Sequence, residues 1–226
     1  MRRVKCINEA SGHLRSRSMG AIPVSTLPGH KQLHERVVTA LNLCQESRNV
    51  DFKEPASWSN LQVHIARTSM AMANLRDGGI IIVGVSERGG SWSLEGISPQ
   101  HLATFDEDNV NDFVNKYASP TIRVELVRVP HNGKSFMAIK VPEFEWSPIV
   151  CKRDGADRSK LRRAAIYVRT GGKPQTIPAP DASQIDDLLE LAAEKRARRM
   201  WRIAQRIGMS PPPLTQEEFD EELEGL

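Results

Sequence analysis

Glu46 and Asp51, five positions apart, and Glu87, just past the apolar run 80–85, are the side chains whose types and order could do chemistry. Carboxylates brought together from two chain breaks flanking one helix can hold a divalent cation against a phosphate. Mg²⁺ or Mn²⁺ held in that way polarises a phosphodiester and activates a water. Lys53 lies two residues beyond Asp51, so in an extended segment it shares the same face. There it would bind phosphate or stabilise a pentavalent transition state. Glu46, Asp51, Glu87 and Lys53 are therefore the candidate catalytic residues, and the three acids are the candidate metal ligands. Acids at helix ends and after strands are also ordinary solvent-exposed residues, so spacing alone leaves both readings open.

The elements that would position these residues follow from periodicity. Leu33, Val37, Val38, Leu41 and Cys44 recur at helical spacing, which predicts an amphipathic helix over 30–45. Asp51–Lys53 reads as a short extended segment stopped by Pro55. Ser57 or Ser59 can cap a helix running to about Leu75, ended by Gly78-Gly79. Ile80–Val85 is continuously apolar and β-branched, the mark of a strand buried on both faces. The Gly- and Ser-rich stretch 87–100 reads as a loop, and Val110, Phe113, Val114 and Tyr117 as the stripe of a further helix behind Asp106-Glu107-Asp108. After Pro120 the period becomes two, predicting a strand through Ile122, Val124 and Leu126, then a hairpin at His131-Asn132-Gly133 into 134–141. Short strands near 149–151 and 165–169 follow. A long helix capped by Asp181 or Ser183 carries the stripe Ile185, Leu188, Leu189, Ala192, Met200, Ile203 and Ile207.

Charge is uneven along the chain although the net value is only +3. Lys152, Arg153, Arg158, Lys160, Arg162 and Arg163 crowd one stretch, and Arg169 ends the next strand. Lys152, Arg153, Arg162, Arg163 and Arg169 are the candidate phosphate-backbone contacts. Residues 195–206 hold six bases and no acid, whereas 212–226 hold six acids and no base. Such blocks suit a polyanion partner and a means of shielding it, or simply a solvated helix face. The small number of aromatic residues and the lack of an RRM-like aromatic motif point to recognition by backbone and shape.

Other signals exclude more than they offer. Gly133-Lys134-Ser135 mimics half a phosphate loop, but Arg128 stands where the first glycine belongs and two strands flank it, so no ATP site is supported. His30 and His34 are spaced as helix neighbours without a third ligand nearby. Cys6, Cys44 and Cys151 are odd in number and scattered, which points to a reducing compartment, and the expectation is a cytoplasmic protein without membrane spans.

Glu46-Ser47 with Asp51-Phe52-Lys53, Ala71-x-Ala73-Asn74, Gly78–Val85 and Ile166–Thr170 together resemble the Schlafen AlbA-like domain, over about 40–178. The resemblance implies an α/β fold with a mixed α+β sheet, here followed by a long C-terminal helix. Composition and periodicity divide the chain into a disordered basic segment 1–29, the domain 30–180, a helix 181–208 and an acidic tail 209–226, and the resemblance falls within the second of these. The resemblance also implies a DNA-binding domain and, by likeness to vertebrate Schlafen members, a metal-assisted endoribonuclease acting on tRNA and rRNA. By position its acids would be Glu46, Asp51 and Glu87. Asp51 replaces a longer glutamate and Glu87 a shorter aspartate, so the metal geometry would shift by a methylene at each. RNA is then the expected partner ahead of DNA, and a homodimer the expected assembly. Two other readings stay open: a non-catalytic nucleic-acid-binding regulator using helix 195–206, and a protein-interaction module.

Overall fold

The buried strand predicted over 80–85 is the centre of the molecule. In the computed structural model, which describes residues 28–171 and 174–209, it forms β2 (Gly79–Val83), with every residue buried. Alternate side chains of a strand point to opposite faces. Ile80 and Ile82 accordingly pack with Leu33, Val37 and Leu41 of α1 (Pro28–Leu43), whereas Ile81 and Val83 pack with Leu61, Ile65 and Met72 of α2 (Trp58–Ala73). Each such aliphatic side chain contributes about 1.5–3 kcal/mol on burial, which makes this three-layer arrangement the main hydrophobic anchor.

β1 (Val50–Lys53) lies parallel to β2, with Asp51 beside Ile81 and Lys53 beside Val83. α2 is the crossover between these two strands. At its end Gly78 has a φ of +65°, and a Cβ there would stand 2.1 Å from the Val141 carbonyl oxygen, so only glycine fits. Asn74, also at this end, is buried. Its Nδ2 donates to the carbonyls of Ile149 and Tyr167 at 3.0 Å each, and its Oδ1 accepts from Ile149 N at 2.7 Å.

The stretch expected as a loop contains a hairpin, β3 (Val85–Arg88) and β4 (Ser91–Leu94), turned at Gly89-Gly90. Ser and Gly disguised it because its strands are largely exposed and carry no continuous apolar run. A short helix α3 (Pro99–Leu102) then leads to α4 (Glu107–Tyr117), capped by Asp106, whose side chain accepts from Asn109 N at 2.9 Å.

The strand predicted from Ile122 begins later. After the two-residue strand β5 (Ala118–Ser119), β6 covers Glu125–His131 and pairs with β7 (Lys134–Val141), which pairs with β2. Ile122 and Val124 keep their alternation, but side-chain amides of α4 replace a ladder. Asn115 exchanges bonds of 2.7 and 2.8 Å with the backbone of Ile122, and Asn111 does so at 3.0 and 2.9 Å with Val124. The main sheet therefore runs β1-β2-β7-β6, mixed in direction, as the α+β expectation required.

β8 (Val150–Cys151) joins β5, and β9 (Tyr167–Arg169) pairs with β10 (Thr176–Pro178) against α2. Asp181 caps α5 (Ala182–Arg206), where Leu188, Leu191 and Ala192 are buried. Met200, Ile203 and Ile207 of the expected stripe are exposed instead, because the second half of α5 runs past the body of the domain, and Leu189 is exposed because it lies off the face that buries Leu188, Leu191 and Ala192. The proposed segments up to residue 27 and from 210 onward lie outside the described residues.

Candidate functional site

β1 is an edge strand, and Glu46, Asp51 and Lys53 meet along its open edge. A tight turn precedes it, with Ser47 and Val50 exchanging backbone hydrogen bonds at 3.1 and 3.2 Å. This turn brings Glu46 back along the strand, and Glu46 Oε1 accepts from Phe52 N at 2.7 Å. The carboxylate thus satisfies a donor that an edge strand leaves open. Partial burial, reinforced by the neighbouring Asp51 charge, raises the Glu46 carboxyl above its ordinary value against the lowering effect of the Phe52 N–H.

Asp51 is almost wholly buried, and cations take both of its oxygens. Arg169 Nη1 donates to Oδ1 at 2.7 Å, and Lys53 Nζ donates to Oδ2. Lys53 also reaches the Phe52 carbonyl at 3.2 Å. The remaining Arg169 donors close the turn: Nη2 bonds the carbonyls of Ser47 and Val50, and Nε that of Arg48. Arg48 Nε returns a bond to the Arg169 carbonyl at 3.3 Å. Arg169, expected on a phosphate-binding rim, has a side chain only 1% exposed. It is an internal strap, its fork of donors meeting one carboxylate and three carbonyls at once.

Glu87 stands apart. It lies on β3 opposite Trp92 and is exposed. Among the described residues no group of three or more His, Cys, Asp or Glu side chains is placed to hold a metal ion. The donors present do not fit the expected Mg²⁺ or Mn²⁺: guanidinium and ammonium groups already neutralise Asp51, and the third acid is elsewhere.

Cations gather around His64. His64 of α2 has its imidazole value lowered by partial burial and by the neighbouring positive charges of Lys160, Lys53 and Arg67. Arg67 lies with its guanidinium 5.3 Å from the centre of the Tyr167 ring and donates to the Thr176 carbonyl at 2.7 Å. His64 and Arg67 are not among the residues that the sequence singled out. Their i, i+3 spacing on the face that adjoins Lys53 is the signal that was available.

Lys152, Arg153, Arg162 and Arg163 are all exposed on the segment 152–163. That segment is anchored, with Leu161 fully buried and Gly155 N bonded to the Leu161 carbonyl at 2.8 Å. Tyr167 Oη accepts from Arg162 N at 2.8 Å and donates to the Lys160 carbonyl at 3.1 Å, while Asp154 holds Arg163 N at 2.9 Å. Lys160 of this anchored segment is among the positive charges that act on His64.

The chain matches the family described as Schlafen, AlbA_2 over residues 46–178, more than half its length. It belongs to that family. The matched Schlafen span starts at Glu46 and ends with β10, so it contains the Asp51–Arg169 pair, Asn74 and the basic segment 152–163. The family suggests nucleic-acid binding as the class of function. Among solved structures, the DIP2311 protein from Corynebacterium diphtheriae is 19% identical, covering 67% of this chain and 27% of its own, with a TM-score of 0.44. This chain thus spans about a quarter of that protein. The N-terminal domain of a RecG-related protein from Nitrosomonas europaea is 21% identical, covering 66% of this chain and 97% of its own, with a TM-score of 0.39. No curated protein matches the chain. Among the described residues no helix is long and apolar enough to cross a membrane.

Proposed function

We propose that this Schlafen-family protein is a nucleic-acid-binding module that grips the phosphate backbone of structured RNA such as tRNA, and that Asp51 and Arg169 serve its architecture. The supporting observation is the anchoring of the basic segment 152–163. Leu161 and the Tyr167 hydroxyl fix the end that carries Lys160 and Arg162, Asp154 holds Arg163 N, the Tyr117 carbonyl holds Lys152 N, and Lys160 shares the surroundings of His64 with Lys53 and Arg67. Pre-positioned cations neutralise phosphates with little ordering cost, whereas a mobile loop would have to be ordered on binding. Pairing of two copies, which the family resemblance implies, would double the number of phosphate contacts.

Metal-dependent endoribonuclease activity is a second reading, favoured by the closeness of Glu46 to Asp51, two carboxylates whose repulsion a cation relieves. It requires Asp51 to exchange Arg169 and Lys53 for a metal, which the binding reading does not.

Titration of tRNA and of single-stranded DNA at several salt concentrations, with Mn²⁺ or with chelator, tests both readings. Binding should tighten steeply as salt falls, should prefer tRNA, and should ignore chelation. Replacing Arg162 and Arg163 by Ala should shallow the log–log salt slope by about one unit per lost phosphate contact. Salt-insensitive or absent binding sinks the proposal. Mn²⁺-dependent cutting abolished by Glu46→Ala would establish the nuclease reading in its place.

A further inference from the structure

The face of α5 that meets the domain changes character along its length. Leu188, Ala192, Lys195, Arg199, Arg202 and Arg206 are spaced four and three apart, so they form one stripe. Leu188 and Ala192 are buried against the core. Beyond them Lys195 pairs with Glu143 at 3.2 Å, and the Arg199 guanidinium covers the Trp146 ring at 4.7 Å. Arg202 and Arg206 continue the stripe along the same open groove between α5 and the segment 143–146. Glu194 in this groove is spent on Arg76 and Arg198. Among the described residues neither Arg202 nor Arg206 has an acidic partner. Ile203 and Ile207 beside them are exposed at 42% and 67%.

The chain itself carries the complementary segment. At the end of α5 Gly208 takes a φ of +73°, with Gly208 N bonded to the Gln205 carbonyl and Met209 N to that of Ala204, which stops the helix there. Residues 210–226 follow. They include six acids between 217 and 224 and no base, and Phe219, Leu223 and Leu226 are spaced as one helical face. From Arg206 back to Lys195 is about 16 Å along a helix, a distance that residues 214–226 exceed whether helical, at about 20 Å, or extended.

We propose that the acidic tail 214–226 folds back onto this groove, setting its carboxylates on Arg199, Arg202 and Arg206 and its apolar side chains on Ile203 and Ile207. The tail then occupies the most basic helix of the molecule and withholds it from polyanions. This docking is independent of whether the lobe 152–163 binds nucleic acid.

The test uses the full chain carrying Cys6→Ser, Cys44→Ser and Gly225→Cys, with a nitroxide on the introduced thiol and ¹⁵N on the backbone. At low salt the amides of 198–206 should broaden. The broadening should vanish near 1 M salt, where the Debye length falls to about 3 Å. Arg202→Glu with Arg206→Glu should abolish it while the amides of 30–180 keep their positions, and adding Glu221→Lys with Glu222→Lys should restore it. Absence of low-salt broadening, its persistence in the arginine variant, or its transfer to an unlabelled ¹⁵N partner in a mixed sample overturns the proposal. The last outcome would assign the groove to a second copy.

Discussion

Arg169 and Asp51, 118 residues apart, meet at 2.7 Å in a pocket from which both side chains exclude solvent almost completely. The pair fastens the end of β9 to the edge strand β1, and the guanidinium simultaneously closes the turn before that strand.

Breaking this pair from one side should cost more than removing it whole. Arg169→Met leaves Asp51 buried with only Lys53, and a lost partner of a buried ion pair costs about 3–5 kcal/mol. For a domain of this size that lowers Tm by on the order of 10 °C. Adding Asp51→Asn should recover part of the loss. Thermal unfolding of the two single variants and the double variant reads the coupling, and strictly additive losses would contradict it.

Asn74 should tolerate no substitute. Asn74→Ala orphans the Ile149 N–H and the carbonyls of Ile149 and Tyr167, a loss of about 3 kcal/mol. Asn74→Asp keeps the acceptor but loses both donated bonds, and should be no better. Denaturant unfolding at constant m-value checks this, and a shift in midpoint under a quarter of that size would refute it.

Glu46 should impose a pH dependence on stability. Its carboxyl is raised in the fold, so its favourable contribution is complete below the unfolded value of 4.5 and is lost as pH rises through the higher folded value. Glu46→Gln keeps an oxygen for Phe52 N and removes the charge beside Asp51. The variant should gain stability relative to the parent as pH rises from 4.5 toward 7, measured as a growing difference in Tm.

Polyanion binding should couple to protonation of His64. The imidazole is lowered by burial and by Lys160, Lys53 and Arg67, with Asp51 acting the other way, so phosphate among those cations should raise it again. Affinity for tRNA should therefore increase as pH falls from 7.5 toward 6, and His64→Gln should remove that slope. An unchanged slope in the variant would place the titrating group elsewhere.

Periodicity and turn chemistry already determined the elements that act locally: the buried strand 79–83, the helices around it, the His131–Gly133 hairpin turn and the Asp106 and Asp181 caps. The hairpin 85–94 was hidden because exposed strands need no apolar alternation, and the start of β6 was masked by two asparagines of a helix. The acids at 46, 51 and 87 were visible as charges in order along the chain, but their partners were not. Only the tertiary structure decided that Arg169 neutralises Asp51, that Glu87 is exposed on a hairpin strand, and that His64 joins the cations around Lys53. Charge pairing across more than a hundred residues depends on which strand becomes an edge and what packs over it. Local sequence spacing carries no record of that choice.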